Sequence, residues 1–100
     1  SDLEWRLDGP GVPAVLVVAS SETGGEELRL SASDGELTAT VAAGSWTMPL
    51  ADRDVRILLD GPIVEIFATT GVMALPIPSN GRARVVTLTG TSEVTAYALA

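Results

Sequence analysis

The stretch that most constrains the fold is residues 28–41. It reads Leu-Arg-Leu-Ser-Ala-Ser, then Asp34-Gly35, then Glu-Leu-Thr-Ala-Thr-Val. Asp-Gly favours a type I′ hairpin turn, whose two central residues both take positive φ. The register that follows puts Arg29 opposite Thr40 on a polar face and places apolar residues opposite one another on the other face: Ala32 with Leu37, Leu30 with Ala39, and Leu28 with Val41. One face of this hairpin is therefore core and the other meets water.

The rest of the chain has the same pattern of short strands separated by turns. Valine and threonine dominate the runs, and no segment has a helical pattern. We expect a single all-β domain over residues 1–100, an antiparallel two-sheet β-sandwich of about nine short strands. The predicted strands cover residues 3–8, 14–19, 28–33, 36–41, 55–59, 64–69, 72–77, 82–89 and 93–99, and residues 43–54 are predicted to be an irregular connection.

Two features predict where the core lies. In the first strand, Leu3, Trp5 and Leu7 alternate with charged residues, so these three side chains should face the core. The strands at Ala14–Ala19 and Val72–Ile77 are instead apolar at both alternating positions, which is typical of strands covered on both faces. We therefore expect a part of the outer surface to be covered by another unit.

Composition removes several kinds of chemistry. The chain has no histidine and no cysteine, so it lacks the usual general base, thiolate metal ligands and Ser-His or Cys-His pairs. Its net charge of −7, with six arginines as its only basic residues, disfavours nucleic acid and anionic membranes as partners. Asp52-Arg53-Asp54 does not meet the spacing of a calcium loop. We expect no cofactor and no metal site, and either carboxylate chemistry or none.

The segment Leu58–Phe67, LLDGPIVEIF, carries two acids in an apolar run. Asp60 and Glu65 are candidates for a glycosidase carboxylate pair. The alternative is a structural hairpin. Because Pro62 has no N–H to close a two-residue Asp-Gly loop, the connection should be the four residues 60–63, with Leu59 opposite Val64 and Ile57 opposite Ile66.

That hairpin register gives Glu65 a structural role. It puts Glu65 opposite Leu58 and diagonal to Arg56, within reach of a cross-strand ion pair. We favour the hairpin over catalysis. Trp46 is the candidate for stacking on a sugar ring, because it lies outside the regular strand pattern.

From residue 55 to residue 78 the chain reads VRILLDGPIVEIFATTGVMALPIP. This stretch resembles the C-terminal β-sandwich of glycoside hydrolase family 32, the β-fructosidases, which include invertases, levanases and inulinases. The family shows a strand ending in Val-Asp, a short turn, S-V-E-V-F, a small turn with Gly, and a strand ending in proline. Asp60, Glu65 and Phe67 occupy hallmark positions of that sandwich, whereas Pro62 stands where the family usually has serine.

The resemblance implies a non-catalytic domain of the concanavalin- or lectin-like jelly-roll type. Catalysis in the family belongs to an N-terminal five-bladed β-propeller, and none of that propeller's acidic motifs occurs in this chain. No catalytic residue is therefore expected here. The implied partner is the propeller of a larger enzyme that hydrolyses sucrose or fructans, from whose C-terminus this domain would have been excised.

Two other functions remain open at this point. The chain could be a carbohydrate-binding module for a fructan or another polysaccharide. It could also be an adhesion or assembly sandwich unrelated to sugars.

Overall fold

Short antiparallel strands make up the part of the chain that this computed structural model describes, which is residues 2–9, 12–21, 24–60, 62–77, 84–90 and 92–97. The ten strands are β1 (Asp2–Leu7), β2 (Ala14–Ser20), β3 (Glu26–Ser33), β4 (Glu36–Val41), β5 (Gly44–Pro49), β6 (Asp54–Asp60), β7 (Ile63–Ala68), β8 (Gly71–Pro76), β9 (Arg84–Gly90) and β10 (Ser92–Tyr97). None of the described residues belongs to a helix long and apolar enough to cross a bilayer.

The strands form two five-stranded sheets. Sheet A has the order β10-β1-β6-β7-β8, and sheet B has the order β5-β4-β3-β2-β9. The prediction of an all-β, two-sheet sandwich is confirmed. Each sheet contains a run of consecutive hairpins, β6-β7-β8 in sheet A and β2 to β5 in sheet B. β1 and β10 complete sheet A, and β9 completes sheet B.

The core lies between the inner faces of the two sheets. In β1 the alternation of burial places Leu3, Trp5 and Leu7 inside, as predicted, and Trp5 is 0% exposed. The largest fully buried side chains come from both sheets: Trp5, Leu7, Ile57, Ile66, Val55 and Val64 from sheet A, and Leu16, Val18, Leu28, Leu30 and Leu37 from sheet B. Burying such a side chain completely is worth roughly 1.5–3 kcal/mol for an aliphatic residue.

The hairpin of residues 28–41 forms as predicted. Asp34 and Gly35 have φ values of 52° and 76°, so both central residues of the turn take positive φ. The pairs formed between β3 and β4 include Arg29 with Thr40, Leu30 with Ala39 and Ala32 with Leu37.

The prediction of an irregular connection over residues 43–54 is wrong for most of its length. Residues 44–49 form β5, which pairs with β4 along its whole length. Cross-strand hydroxyl pairs accompany the ladder: Thr38 Oγ1 lies 3.0 Å from Thr47 Oγ1, and Thr40 Oγ1 lies 2.9 Å from Ser45 Oγ. Because glycine and proline bound this strand and are typical of loops, its alternation is hidden in the sequence.

The strands that are apolar at both alternating positions are buried on one face only. In β2, Leu16 and Val18 are fully buried, whereas Val15 and Val17 on the other face are half-buried. In β8, Val72 is 60% exposed. The other sheet covers the inner face of each strand. Within the described residues the outer faces meet solvent.

A partly buried ion pair ties the last strand of sheet B to the sheet interior. Arg84 Nε donates to Glu27 Oε1 at 2.6 Å, and the Glu27 side chain is only 5% exposed. Arg84 begins β9 and Glu27 lies in β3, so the pair spans β2, which separates these strands in the sheet. It joins residues 57 positions apart in sequence.

Among the described glycines, Gly90 has the backbone position that most strictly excludes a side chain. Its φ is +91°, and a Cβ there would lie 2.7 Å from the carbonyl oxygen of Pro13. Gly24 also has a positive φ, of +73°, but has open space around it. We expect Gly90→Ala to lower the free energy of unfolding by about 2–4 kcal/mol, since strain and a backbone clash add, and Gly24→Ala by about 1 kcal/mol. Urea denaturation measures both losses, and equal losses would contradict the clash.

Candidate functional site

The LLDGPIVEIF segment is a structural hairpin made by β6 and β7. Leu59 pairs with Val64 and Ile57 with Ile66, as predicted. The prediction of a four-residue connection over residues 60–63 is wrong, because Asp60 and Ile63 also pair and two residues, 61 and 62, separate β6 from β7. Gly61 and the side chain of Asp60 lie outside the described residues.

The predicted ion pair between Glu65 and Arg56 is wrong. Glu65 is half-buried on the outer face opposite Leu58, but Arg56 binds Asp2. Arg56 Nε donates to Asp2 Oδ1 at 3.1 Å, and its Nη2 donates to Asp2 Oδ2 at 2.6 Å. The reason is that β1 pairs with β6 on the side away from β7, which puts Asp2 diagonal to Arg56 on the same face.

This bidentate pair keeps both groups charged. The hydrogen bonds from Arg56 outweigh partial burial and lower the pKa of Asp2 below its ordinary 3.8, and the same contact raises the pKa of Arg56. In β3, hydrogen bonds from Arg29 likewise lower the pKa of Glu26. A carboxyl group that donates a proton in glycoside hydrolysis needs a raised pKa. Asp2 and Glu26 are therefore ionised and do not have the raised pKa of a general acid.

A shallow groove of about 340 Å³ runs over the outer face of β1, β6 and β7. Phe67 lines it together with charged residues from the neighbouring strands, which are Glu4, Arg6, Asp54 and Arg56. Arg6 Nε and Asp54 Oδ1 are 3.0 Å apart in an exposed ion pair. The groove combines one aromatic ring with several hydrogen-bonding groups, a set that suits a polar ligand with an apolar face.

The other half of the outer face of sheet A is apolar. We call it the outer strip, and it consists of Leu58, Ile63, Phe67, Val72, Ala74 and Pro76 on β6, β7 and β8. Ile63 is 46% exposed and Val72 is 60% exposed. Glu65 lies among these residues, opposite Leu58 and Ala74. Exposed apolar side chains grouped around one carboxylate on a sheet face indicate a candidate interaction surface.

Trp46 lies at the edge of sheet B. It pairs with the buried Ala39 and so shares the inward-facing side of β5. It is 42% exposed because, within the described part of the chain, β5 is the last strand of the sheet. Its ring lies over Gly44, where an added Cβ would be 3.5 Å from the indole. Trp46 and Phe67 are in different sheets. The structure therefore offers two separate aromatic surfaces.

The acids at residues 52–54 form no cation site within the described residues. Asp54 belongs to β6 and pairs with Arg6, and Asp52 Oδ1 accepts a hydrogen bond from the Arg53 N–H at 2.7 Å. No group of three or more acidic, histidine or cysteine side chains that could hold a metal ion occurs among the residues that the structure describes.

The sequence prediction missed both the groove and the Asp2–Arg56 pair. The alternation of charged residues in β1 signalled that Glu4 and Arg6 face outward. It did not signal which strand lies beside them, because β1 and β6 are about fifty residues apart and their pairing depends on the whole sandwich.

No protein-family model matches the chain, and no curated protein matches it. The resemblance of residues 55–78 to the β-fructosidase sandwich therefore stays a prediction.

The Asp2–Arg56 pair makes a prediction about acid stability. Because the folded-state pKa of Asp2 is below its ordinary value, the pair stabilises the fold above pH 3.8, and this contribution disappears as the pH falls through the folded-state pKa. Asp2→Asn should therefore be less stable than the wild type at neutral pH, and the difference should shrink at acidic pH. Urea denaturation between pH 7 and pH 2.5 measures it.

The control for this prediction is Asp8→Asn, which removes the same charge from an exposed position just after β1. A stability difference for Asp2→Asn that stays constant with pH, or that Asp8→Asn reproduces, would contradict the assigned pair.

Proposed function

We propose that this chain is a non-catalytic β-sandwich that supports the catalytic β-propeller of a β-fructosidase-like glycoside hydrolase acting on sucrose or fructans. The observation that carries the proposal is the outer strip. Its three strands, β6, β7 and β8, are the same strands that contain the stretch resembling the β-fructosidase sandwich, residues 55–78. The feature that suggests the family and the feature that suggests docking therefore coincide in one part of the fold.

The energetics favour docking on this face. Ile63 and Val72 are each about half exposed, so covering them would contribute about 1 kcal/mol apiece from apolar burial alone. The outer face of sheet B is divided. Its β4 and β5 side chains are mainly hydroxyls, Thr38, Thr40, Ser45 and Thr47, whereas β2 and β9 carry apolar residues that include Val85, which is 49% exposed. The outer strip is the apolar surface that coincides with the stretch resembling the family.

The carboxylates support a structural role for the chain. Asp2 and Asp54 are both held by arginines on the outer face of sheet A. Glu65 is half-buried among apolar side chains of the outer strip. In this proposal Asp60, Glu65 and Phe67 serve the hairpin and its surface, and the propeller supplies the nucleophile and the general acid.

The coding sequence upstream of Ser1 gives the first test, and we expect it to encode a five-bladed propeller. Calorimetry would then measure binding of that propeller, produced separately, to the chain. Ile63→Ser should weaken binding at least about tenfold, or ~1.4 kcal/mol, because it removes an apolar contact from the outer strip.

Val85→Ser is the matched control, since Val85 on β9 of sheet B is 49% exposed, close to the 46% of Ile63. It should leave the affinity unchanged. An upstream sequence without a propeller would overturn the proposal and favour an adhesion or assembly sandwich. Equal effects of the two variants on the affinity would show that the propeller does not dock on the outer strip.

A second candidate function is binding of a fructan or another polysaccharide. The observation in its favour is that two aromatic side chains are accessible, Trp46 on the edge of sheet B and Phe67 in the charged groove of sheet A. Aromatic faces flanked by hydrogen-bonding groups suit a sugar ring, which has apolar C–H faces and polar hydroxyls.

Titration of the chain with levan and inulin separates the two functions. A supporting domain should give no heat of binding. A binding module should give heat that Trp46→Ala abolishes if the edge is the site, or that Phe67→Ala abolishes if the groove is the site. If the chain gives heat of binding and either variant abolishes it, the supporting role is wrong and the chain is a binding module.

A further inference from the structure

Glu65 is an acidic residue among apolar residues on the outer face of sheet A. Leu58 lies directly opposite it on β6, and Ala74 lies directly opposite it on β8. Ile63 and Phe67, two residues away along β7, are on the same face because side chains alternate along a strand. The four nearest neighbours of Glu65 on this face are therefore apolar, and Glu65 itself is half-buried.

The described arginines on this face bind other carboxylates. Arg56 is diagonal to Glu65, but its Nε and Nη2 both donate to Asp2. Arg6 lies on β1, two strands away from β7, and pairs with Asp54. None of the ion pairs between described residues involves Glu65. A cation that neutralises Glu65 in a covered outer strip must therefore come from the covering surface.

We propose that the outer strip recognises an arginine side chain of its partner, with Glu65 as the group that binds the guanidinium. The inference rests on the proposed function, in which that partner is the catalytic propeller. A surface that covers Leu58, Ile63 and Val72 also removes water from Glu65, and burying a charge without a partner is costly. An arginine on the docked surface avoids this cost, because a guanidinium can give two hydrogen bonds to one carboxylate.

Phe67 favours arginine over lysine as the recognised side chain. It lies two residues along β7 from Glu65, which is about 7 Å in a strand. A guanidinium bound at Glu65 can therefore also contact the Phe67 ring, and arginine stacks on aromatic faces. A guanidinium is also more weakly hydrated than an ammonium, so it loses less when the apolar residues around Glu65 are covered.

Calorimetric titration of the separately produced propeller into variants of the chain tests the inference. Glu65→Gln keeps the size of the side chain and removes its charge. If an arginine binds Glu65, this variant should weaken the affinity at least about tenfold, because the guanidinium loses its charged partner. If the covering surface has no cation, the same variant should leave the affinity unchanged or raise it, because glutamine is less costly to bury than a carboxylate. The second result would overturn the inference.

Glu36→Gln is the matched control, since it makes the same change at an exposed glutamate on β4 of sheet B and should leave the affinity unchanged. Equal weakening by Glu36→Gln and Glu65→Gln would reflect net charge alone and would contradict the assigned contact. Weaker binding with Ile63→Ser but not with Glu65→Gln would overturn the arginine inference and leave docking on the outer strip intact. Thermal melting monitored by circular dichroism checks that each variant is folded.

A readout on the chain alone does not depend on the propeller. Butylguanidinium combines a guanidinium with a short apolar tail, and amide NMR signals follow its titration into the chain. We expect saturable shifts at Glu65, Phe67 and Ala74, with a dissociation constant on the order of millimolar for so small a ligand. Butylammonium should bind at least about threefold more weakly, because its ammonium is more strongly hydrated.

The same variants decide this second test. Glu65→Gln should abolish the shifts caused by butylguanidinium, and Glu36→Gln should retain them. Shifts that persist in Glu65→Gln, or equal binding of butylguanidinium and butylammonium, would overturn the inference. An upstream sequence without a propeller would overturn the proposed function, and this titration would then decide by itself whether the outer strip recognises arginine.

Discussion

Burial of one face of every central strand is the constraint on which the rest of the structure depends. Trp5 illustrates its strength: the ring is 0% exposed although its Nε1 has no hydrogen-bond partner among the residues that the structure describes. An unsatisfied buried donor costs about 1–3 kcal/mol, so the apolar contacts of this ring must outweigh that cost. Once Trp5 and its neighbours face inward, the two-residue period of a strand determines which side chains face outward.

The outer faces of the two sheets differ in a way that bears on function. On sheet B, hydroxyl side chains of β4 and β5 pair with one another, and water can solvate them readily. On sheet A, the face divides into a charged half with arginine–carboxylate pairs and the apolar outer strip. Surface ion pairs contribute little to stability. The exposed apolar side chains, in the outer strip of sheet A and on β2 and β9 of sheet B, are therefore where contact with another surface would gain free energy.

Local chemistry explains what the sequence predicted well. The Asp34-Gly35 turn determines the register of β3 and β4 within a few residues. Between β6 and β7 the pairing was predicted correctly, but the connection has two residues instead of the predicted four. β5 was missed because Gly44 and Pro49 at its ends are typical of loops. The partner of Arg56 was missed for a different reason. Its choice of Asp2 depends on which strand lies beside β6, and that depends on contacts across the whole chain.

The same distinction limits what could be predicted of the candidate site. The outward direction of Phe67 and Glu65 follows from strand alternation, so these two residues could be placed on one face before the structure was known. The groove beside Phe67 could not, because its charged side comes from β1. The outer strip could be predicted in part. The apolar character of Val72 was visible in the sequence, but its 60% exposure became clear only when β8 was placed at a sheet edge.

Glu65 sets a requirement for any surface that covers the outer strip. Glu65 is half-buried and lies between Leu58 and Ala74 across the strands, so a docked domain would remove water from it. Burying a charge without a partner is costly, and Arg56 on the same face already binds Asp2. A domain that docks on the strip must therefore present a cationic group or hydrogen-bond donors to Glu65. Such a contact would add orientation to the apolar association, because the carboxylate occupies one fixed position in the strip.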